Sequence, residues 1–178
     1  MAYFNTRDIA AIVMCAALWA VLNNTFAPIF WQMTHMPFLC DFLAFTSLIL
    51  VAWWTRKFGA VSLTGLIVMM LTLALRSGSH MLGFLAASIL FDVLTRIIGY
   101  NNCFEKPLPS TISMVSFSTL CAGVAGLIIG SVFMSLNPIW TVIAFAAKHA
   151  VGGVLGGIFG LILVNALKAR IAIPSHSQ

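Results

Sequence analysis

The sequence predicts an all-α integral membrane protein, a six-transmembrane-helix bundle with both termini cytoplasmic. Three observations carry this prediction: an apolar composition, apolar runs of helix length, and basic residues gathered at one set of helix ends. Of the 178 residues, 61% are hydrophobic and only 7% are charged, whereas a soluble domain has about 25% charged residues. So few charges cannot cover a surface in water, so most of it is expected to face lipid. We expect residues 1–178 to form a single transmembrane domain.

Apolar runs divide the chain into six candidate membrane helices. A helix needs about 20 apolar residues to cross a hydrocarbon core of roughly 30 Å. Short polar or proline-containing connections separate the runs, as expected for a bundle of neighbouring antiparallel helices. The spans are approximately Ile9–Ile29, Phe38–Trp54, Phe58–Leu75, Met81–Tyr100, Ile112–Leu136 and Ile139–Leu167.

The basic residues indicate which side of the membrane each connection faces. Cytoplasmic loops of membrane proteins carry an excess of Lys and Arg. Arg76 stands alone at the opposite set of ends, and Lys148 lies inside the last span. The other basic residues share a side with the N-terminus, namely Arg7, Arg56, Lys57, Arg96, Lys106, Lys168 and Arg170. The distribution therefore predicts cytoplasmic termini and an extracytoplasmic first connection.

Polar and aromatic residues gather at the predicted outer ends of the spans. A small-molecule pocket typically has apolar walls and a few converging polar groups. The stretch FWQMTHMPFLCDF, residues 30–42, is predicted to form a short lid held by Pro28 and Pro37. The candidates for binding a small polar ring compound are Asn23, Trp31, His35, Asp41, Arg76, His80, Trp140, Lys148 and His149.

Two alternatives remain open for the same stretch. The first alternative is a simple connecting loop in which Trp31 anchors the chain at the membrane interface. Alternatively, Met33, His35, Met36 and Cys40 are soft donors of the kind that copper prefers. The four cysteines of the chain lack the paired spacing of a metal finger, and no metal ligand is assigned from the sequence.

Asp92 is expected near the middle of the membrane, where Lys148 and Arg96 are competing candidate partners. A helix rises 1.5 Å per residue, so Lys148 lies about 12 Å deeper than Trp140, a candidate interface anchor. Asp92 and Arg96 are four residues apart on one helical face. His149 points about 100° away from Lys148, so only one of these two side chains can face a cavity squarely.

Small residues recur at four-residue spacing and allow helices to approach closely. Ala10, Ala16 and Ala20 on the first helix are predicted to dock on a partner, with packing inside the chain as the alternative. Glycines on the fifth and sixth spans are expected to pack internally, namely Gly126, Gly130, Gly152, Gly153, Gly156, Gly157 and Gly160.

Several classes of function are excluded by what the sequence lacks. No G-x-x-x-x-G-K-[ST] motif occurs, so any ATP hydrolysis must come from a partner. The four carboxylates, Asp8, Asp41, Asp92 and Glu105, are too scattered for general acid-base catalysis. No soluble domain is predicted that could present the basic residues to nucleic acid. We therefore expect neither an enzyme nor a nucleic-acid partner, and no intrinsic cofactor.

Two segments carry a resemblance to a known family. The first helix, RDIAAIVMCAALWAVLN at residues 7–23, and the fourth, GFLAASILFDVLTRIIG at residues 83–99, resemble the substrate-binding S component of an energy-coupling factor (ECF) vitamin transporter. The resemblance implies a subunit of a prokaryotic cell membrane that captures a vitamin-like micronutrient from outside. It also implies partners: a transmembrane coupling subunit, which the alanine face would contact, and two ATPase subunits that use ATP.

The substrate stays open at this point, between thiamine precursors, pyridoxine, flavins, corrinoids, haem and a metal ion. Metal-specific members of the family use a histidine at the extreme N-terminus, whereas this chain begins MAYFN. A second class of function also stays open: an autonomous ion-coupled carrier in which Asp92 and Lys148 relay a proton, or a scaffold subunit without transport. Inverted repeats with broken helices, typical of many secondary carriers, are not seen.

Overall fold

The computed structural model describes residues 3–76, 78–105 and 107–170, apart from the side chains of residues 107–109. Every regular element in this part of the chain is a helix, which confirms the all-α prediction. A π-helical segment, Ile129–Phe133, continues the sixth helix. The α-helices are α1 (Thr6–Thr34), α2 (Phe38–Thr55), α3 (Ala60–Arg76), α4 (Met81–Ile98), α5 (Tyr100–Phe104), α6 (Pro107–Ile128) and α7 (Ile139–Arg170).

Five of the described helices are long and apolar enough to cross a membrane. They are α1, α2, α4, α7 and the continuous Ser110–Phe133 segment of α6 and its π-helical end. The apolar helix α3 has 17 residues and is shorter than these. The sixth crossing therefore stays a prediction, as does the cytoplasmic location of the termini.

Large apolar side chains cover the outside of the helices. Met14 is 70% exposed, Ile97 73% and Val132 65%, which is unfavourable in water and favourable against lipid tails. The interior is also apolar, and Trp19 and Phe45 are fully buried there. Helices that are apolar on both their inner and outer faces indicate a membrane-spanning protein.

The glycines of α7 bring this helix into backbone contact with α2 on one face and α6 on the other. A Cβ atom at Gly152 would lie 2.6 Å from the carbonyl oxygen of Phe38 in α2. A Cβ atom at Gly153 would lie 2.5 Å from the carbonyl oxygen of Ser118 in α6. Only glycine fits such approaches, so the prediction that this stripe packs internally is confirmed. Gly126 packs in the same way, because its Cβ would lie 2.7 Å from Cα of Ala146.

Ion pairs gather several helix termini at one end of the bundle, here called the basic end. Lys57 Nζ lies 2.7 Å from Asp8 Oδ2, which joins the start of α1 to the connection between α2 and α3. Arg56 Nη1 lies 2.7 Å from Glu105 Oε1, just beyond α5. Lys168 near the end of α7 donates to the carbonyl oxygen of Phe104. Of the predicted basic group, Lys106 lies outside the described residues.

Asp92 has a different partner from those that the sequence predicted. Its Oδ2 accepts hydrogen bonds from the backbone N–H groups of Gly59 (2.9 Å) and Ser62 (3.0 Å), and from Ser62 Oγ (2.8 Å). The carboxylate thus satisfies the free N–H groups at the start of α3 and complements the positive end of its dipole. The predicted pairs of Asp92 with Lys148 and with Arg96 are wrong, because the buried carboxylate accepts hydrogen bonds from the N-terminal end of α3 instead.

The first connection is much shorter than predicted. Helix α1 continues through Pro28 to Thr34, and α2 begins at Phe38. Its 29 residues give a length of about 43 Å, so the helix extends past a hydrocarbon core of roughly 30 Å. The prediction that this segment is a loop is therefore wrong, because residues 30–34 continue helix α1.

Candidate ligand-binding site

A cavity of about 540 Å³ lies between α1, α3, α4 and α7 at the end of the bundle opposite the basic end. The start of α2 and the π-helical segment complete its wall. Its volume is within the range of small-molecule sites, roughly 300–1,000 Å³. Its aromatic lining residues are Trp31, Phe84, Phe133 and Phe145. Its polar lining residues include Asn23, Asn24, Gln32, Thr72, Arg76, Ser79, His80 and His149.

Pro28 shapes the wall that α1 contributes. Proline has no N–H group, so it leaves the carbonyl of Asn24, four residues earlier, without its helical partner. Arg76 Nη1 donates to this carbonyl at 3.4 Å, and Asn24 Nδ2 donates to Thr72 Oγ1 at 3.1 Å. These contacts join α1, at Asn24, to the C-terminal end of α3. The extension beyond Pro28 then carries Trp31 to the cavity.

Asn23 brings a buried carboxamide to the cavity wall. The residue is only 4% exposed, and its Oδ1 has no hydrogen-bond partner among the described residues. Unpaired buried polar atoms are rare in proteins, because losing hydration without a hydrogen bond costs about 1–3 kcal/mol. A ligand N–H or O–H group that reaches this atom would satisfy it.

His149 and Asp41 form a buried pair that joins α7 to α2. His149 Nδ1 lies 2.7 Å from Asp41 Oδ2, and the two side chains are 2% and 0% exposed. The contact has the distance of an ion pair without the alignment of a hydrogen bond, and Asp41 Oδ1 and His149 Nε2 have no partner within the described chain. Glycine explains the approach, because Gly152 Cβ would lie 2.7 Å from Asp41 Cβ.

Rings surround the imidazole of His149 at the inner part of the cavity. The ring centroid of Phe145 lies 4.7 Å away and that of Phe84 lies 6.0 Å away. On the α6 side, a Cβ atom at Gly126 would lie 2.9 Å from His149 Cδ2. The imidazole is thus fixed by packing on three sides, and Trp31 packs against the outer edge of Phe145 at 6.3 Å.

Arg76 and His80 bring charge and hydrogen-bonding groups to the connection between α3 and α4. Both residues line the cavity. Loss of hydration, followed by the positive charge of Arg76, lowers the pKa of His80 below its ordinary value. His80 is therefore neutral at pH 7, and Arg76 is the permanent positive charge among the described lining residues.

Four predicted site residues do not line the cavity, namely His35, Asp41, Trp140 and Lys148. Asp41 lies behind the wall, in contact with His149. His35 ends α1 in a left-handed conformation (φ 52°) and is exposed. Trp140 is 71% exposed, and it precedes His149 by nine residues, which places it on the opposite face of α7. Lys148 is exposed and forms no ion pair in the described part of the chain. Since its neighbour His149 points inward, Lys148 must point outward.

The predicted docking alanines are divided between the inside and the outside of the bundle. Ala16 and Ala20 are 0% and 2% exposed and belong to the hydrophobic core, whereas Ala10 is exposed. A partner cannot contact side chains that the chain's own helices cover. Ala16 and Ala20 therefore pack internally, as the alternative interpretation expects, and docking of a partner on this helix stays a prediction.

The soft donors of the first connection are also divided. Met36 and Cys40 line the cavity, whereas Met33 is 78% exposed and, like His35, lies outside it. Across residues 3–76, 78–105 and 107–170, no group of three or more His, Cys, Asp or Glu side chains has the arrangement of a metal site. These donors therefore do not converge on one point.

Sequence reasoning did not identify several lining residues. Phe84 and Phe145 lie inside apolar spans, where nothing distinguishes an aromatic cavity wall from ordinary core. Thr72 likewise reads as a helix-face residue that bonds its own backbone. Gln32 lies in the stretch of residues 30–42, and its polar side chain next to Trp31 is the sequence feature that indicates a cavity residue.

Comparison of the chain with protein-family models, with curated proteins and with solved structures finds no match. A functional assignment therefore depends on the cavity and on the chemistry of the chain's own residues.

Proposed function

We propose that this protein is the substrate-binding subunit of an ECF-type importer in a prokaryotic cell membrane. In this role it captures a vitamin-like micronutrient from the extracytoplasmic side. A transmembrane coupling subunit and two ATPases then drive its release into the cell.

The cavity is the observation that carries this proposal. The cavity opens at the end of the bundle where Arg76 is the single described basic residue. The other described basic residues at helix ends lie at the basic end. By the positive-inside rule, the cavity then faces outward. Its aromatic walls and few polar groups suit a small ring compound. The absence of a phosphate-binding motif in the sequence requires that ATP hydrolysis be supplied by partners.

Ligand recovery and energised uptake together test the proposal. The full chain is purified in mild detergent and denatured, and the extract is searched by mass spectrometry for a stoichiometric small molecule. Uptake of that molecule, isotopically labelled, is then measured in the native cells with and without this chain. We expect a bound micronutrient and uptake that stops when cellular ATP is depleted. An empty protein, or uptake that persists without ATP, would contradict the proposal.

A second candidate function is favoured by the buried Asp41–His149 pair. The pair combines two groups that can exchange a proton beside a cavity, as in proton-coupled carriers. An autonomous carrier would transport without partners. Liposomes that contain only this chain distinguish the two functions: accumulation of the recovered molecule driven by an imposed pH gradient supports the carrier and contradicts the importer subunit.

A further inference from the structure

Two buried polar atoms at the cavity define where a ligand would bind. Asn23 Oδ1 and His149 Nε2 are both without a partner in the described part of the chain, and both residues line the cavity. They belong to different helices, α1 and α7, which both contribute to its wall. A molecule that bonds both atoms would satisfy groups that the fold leaves unsatisfied.

The protonation of His149 follows from its pairing with Asp41. Asp41 has no second partner among the described residues that could stabilise an uncompensated charge. A buried pair with a net charge is strongly disfavoured, so an electroneutral pair is expected. The neutral pair is either a carboxylate with an imidazolium or a carboxylic acid with a neutral imidazole. In the first form both imidazole nitrogens carry a proton. In the second form, an acid proton on Oδ2, which lies 2.7 Å from Nδ1, leaves the imidazole proton on Nε2. With the proton so placed, Nε2 of His149 is a hydrogen-bond donor.

The charge of the cavity wall selects against cations. Arg76 contributes a permanent positive charge, His80 is neutral at pH 7, and no described lining residue is a carboxylate. A cationic ligand would find no opposite charge to offset its lost hydration. A neutral ligand meets no such cost, and an anionic group can bind beside Arg76.

We propose that the cavity binds a flat heteroaromatic molecule, neutral or anionic at pH 7, whose N–H or O–H group donates to Asn23 Oδ1 and whose carbonyl or ring nitrogen accepts from His149 Nε2. The rings of Trp31 and Phe145 provide apolar faces for such a molecule. This assignment rests on the proposed capture function and narrows its substrate to one chemical class. Permanently cationic rings are outside that class.

Identification of the compound recovered from the purified wild-type chain tests the chemical class. Its charge at pH 7 is measured by electrophoresis, and its exchangeable hydrogens are counted by mass spectrometry after transfer into deuterated solvent. We expect a neutral or anionic ring with an exchangeable hydrogen and an acceptor. A permanently cationic compound, or one without exchangeable hydrogens, overturns the assignment but leaves the capture function standing. An extract without any compound contradicts capture itself, and this assignment with it.

The Asn23→Leu variant tests the role of the carboxamide. Leucine replaces a buried unpaired amide by an apolar group of similar size, so the ligand-free protein should become more stable. After dialysis to remove bound compound, we expect its melting temperature to rise by about 2–4 °C. Its affinity for the compound recovered from the wild-type chain should fall about tenfold or more.

Lys148→Met is the matched control, because Lys148 lies on the outer face of the same helix as His149. We expect unchanged affinity for the recovered compound. If Asn23→Leu binds as the wild type does, the assignment of Asn23 is overturned. A variant that loses affinity and melts at a lower temperature would instead show a structural role, and would overturn it as well.

Discussion

At the scale of single residues, Asp92 illustrates how a buried charge is used to hold two helices together. Its carboxylate in α4 accepts three hydrogen bonds, one from Gly59 just before α3 and two from Ser62 in the first turn of α3. Hydrogen bonds to a charged group contribute about 1.5–3 kcal/mol each, and a buried donor left unpaired is costly. The contribution of Asp92 is therefore to the stability of the fold.

We expect Asp92→Asn to lower the free energy of unfolding by about 1.5–3 kcal/mol, because the amide keeps the shape but loses the charge and part of its acceptor capacity. Denaturant unfolding in detergent measures this change. Arg96→Gln, on the exposed face of the same helix, should stay within about 0.5 kcal/mol of the wild type. A larger effect at Arg96 than at Asp92 would contradict the structural role of the carboxylate.

Residue identity alone could indicate that Asp92 needs a partner, but it could not indicate which one. The partner is a set of backbone N–H groups, which every helix possesses and no sequence pattern marks. Lys148 and His149 present the same difficulty, since both are polar and adjacent in an apolar helix. The choice of the inward residue depends on the rotation of α7, which is set by distant glycines against α2 and α6.

At the scale of helices, the backbone contacts of α7 allow a sharp test of packing. Gly153→Ala would place a Cβ atom 2.5 Å from the carbonyl oxygen of Ser118, so the two helices must separate. Such overpacking costs about 1–3 kcal/mol. We expect a lower unfolding midpoint and a smaller fraction of monodisperse protein in size-exclusion chromatography.

Gly123→Ala in α6 is the control for this change, because a Cβ atom there would meet nothing within 4 Å. Alanine is also the better helix former by about 1 kcal/mol, so this variant should be at least as stable as the wild type. Equal destabilisation by the two substitutions would show that the close approach of α6 and α7 is wrong.

The helical extension of α1 can be tested through its tryptophan. We expect Trp31→Ala to weaken binding of the recovered compound about tenfold or more, because an aromatic wall of the cavity is lost. Trp140→Ala removes an equally large ring that is 71% exposed and outside the cavity. Isothermal titration should show wild-type affinity for the Trp140 variant, and a loss at Trp140 but not at Trp31 would exclude the extension as a cavity wall.

The start and end of most helices could be predicted from apolar runs, but the first connection could not. Proline at position 28 predicts a helix boundary, because it removes a helical hydrogen bond. The helix continues through Pro28, and Arg76 donates a hydrogen bond to the carbonyl of Asn24 that proline leaves free. This compensation comes from a residue 52 positions away in the sequence, so local reasoning could not find it.

At the scale of the whole molecule, the orientation in the membrane is the central prediction. Asn102 in α5 is exposed at the basic end, and Asn137 is exposed between α6 and α7 at the other end. In a chain whose four natural cysteines are replaced by serine, Asn137→Cys should react with a membrane-impermeant maleimide added to intact cells. Asn102→Cys should react only after the cells are opened.

Reaction of the Asn102 variant alone in intact cells would place the cavity toward the cytoplasm, and the import proposal would then fail. The membrane-spanning fold itself would survive this result, because it depends on helix lengths and apolar surfaces and not on direction. Composition and periodicity could predict that fold, since lipid imposes the same apolar requirement on every helix. The cavity could be predicted only in outline, because helix rotations decide which polar residues meet.

The glycine contacts fix the position of α7 in the bundle. Helix α7 meets α2 and α6 backbone to backbone, so no side chain between these helices can change its rotamer to make room. The part of the cavity wall that α7 contributes therefore keeps its position when a molecule enters, and the molecule must match the shape of that wall.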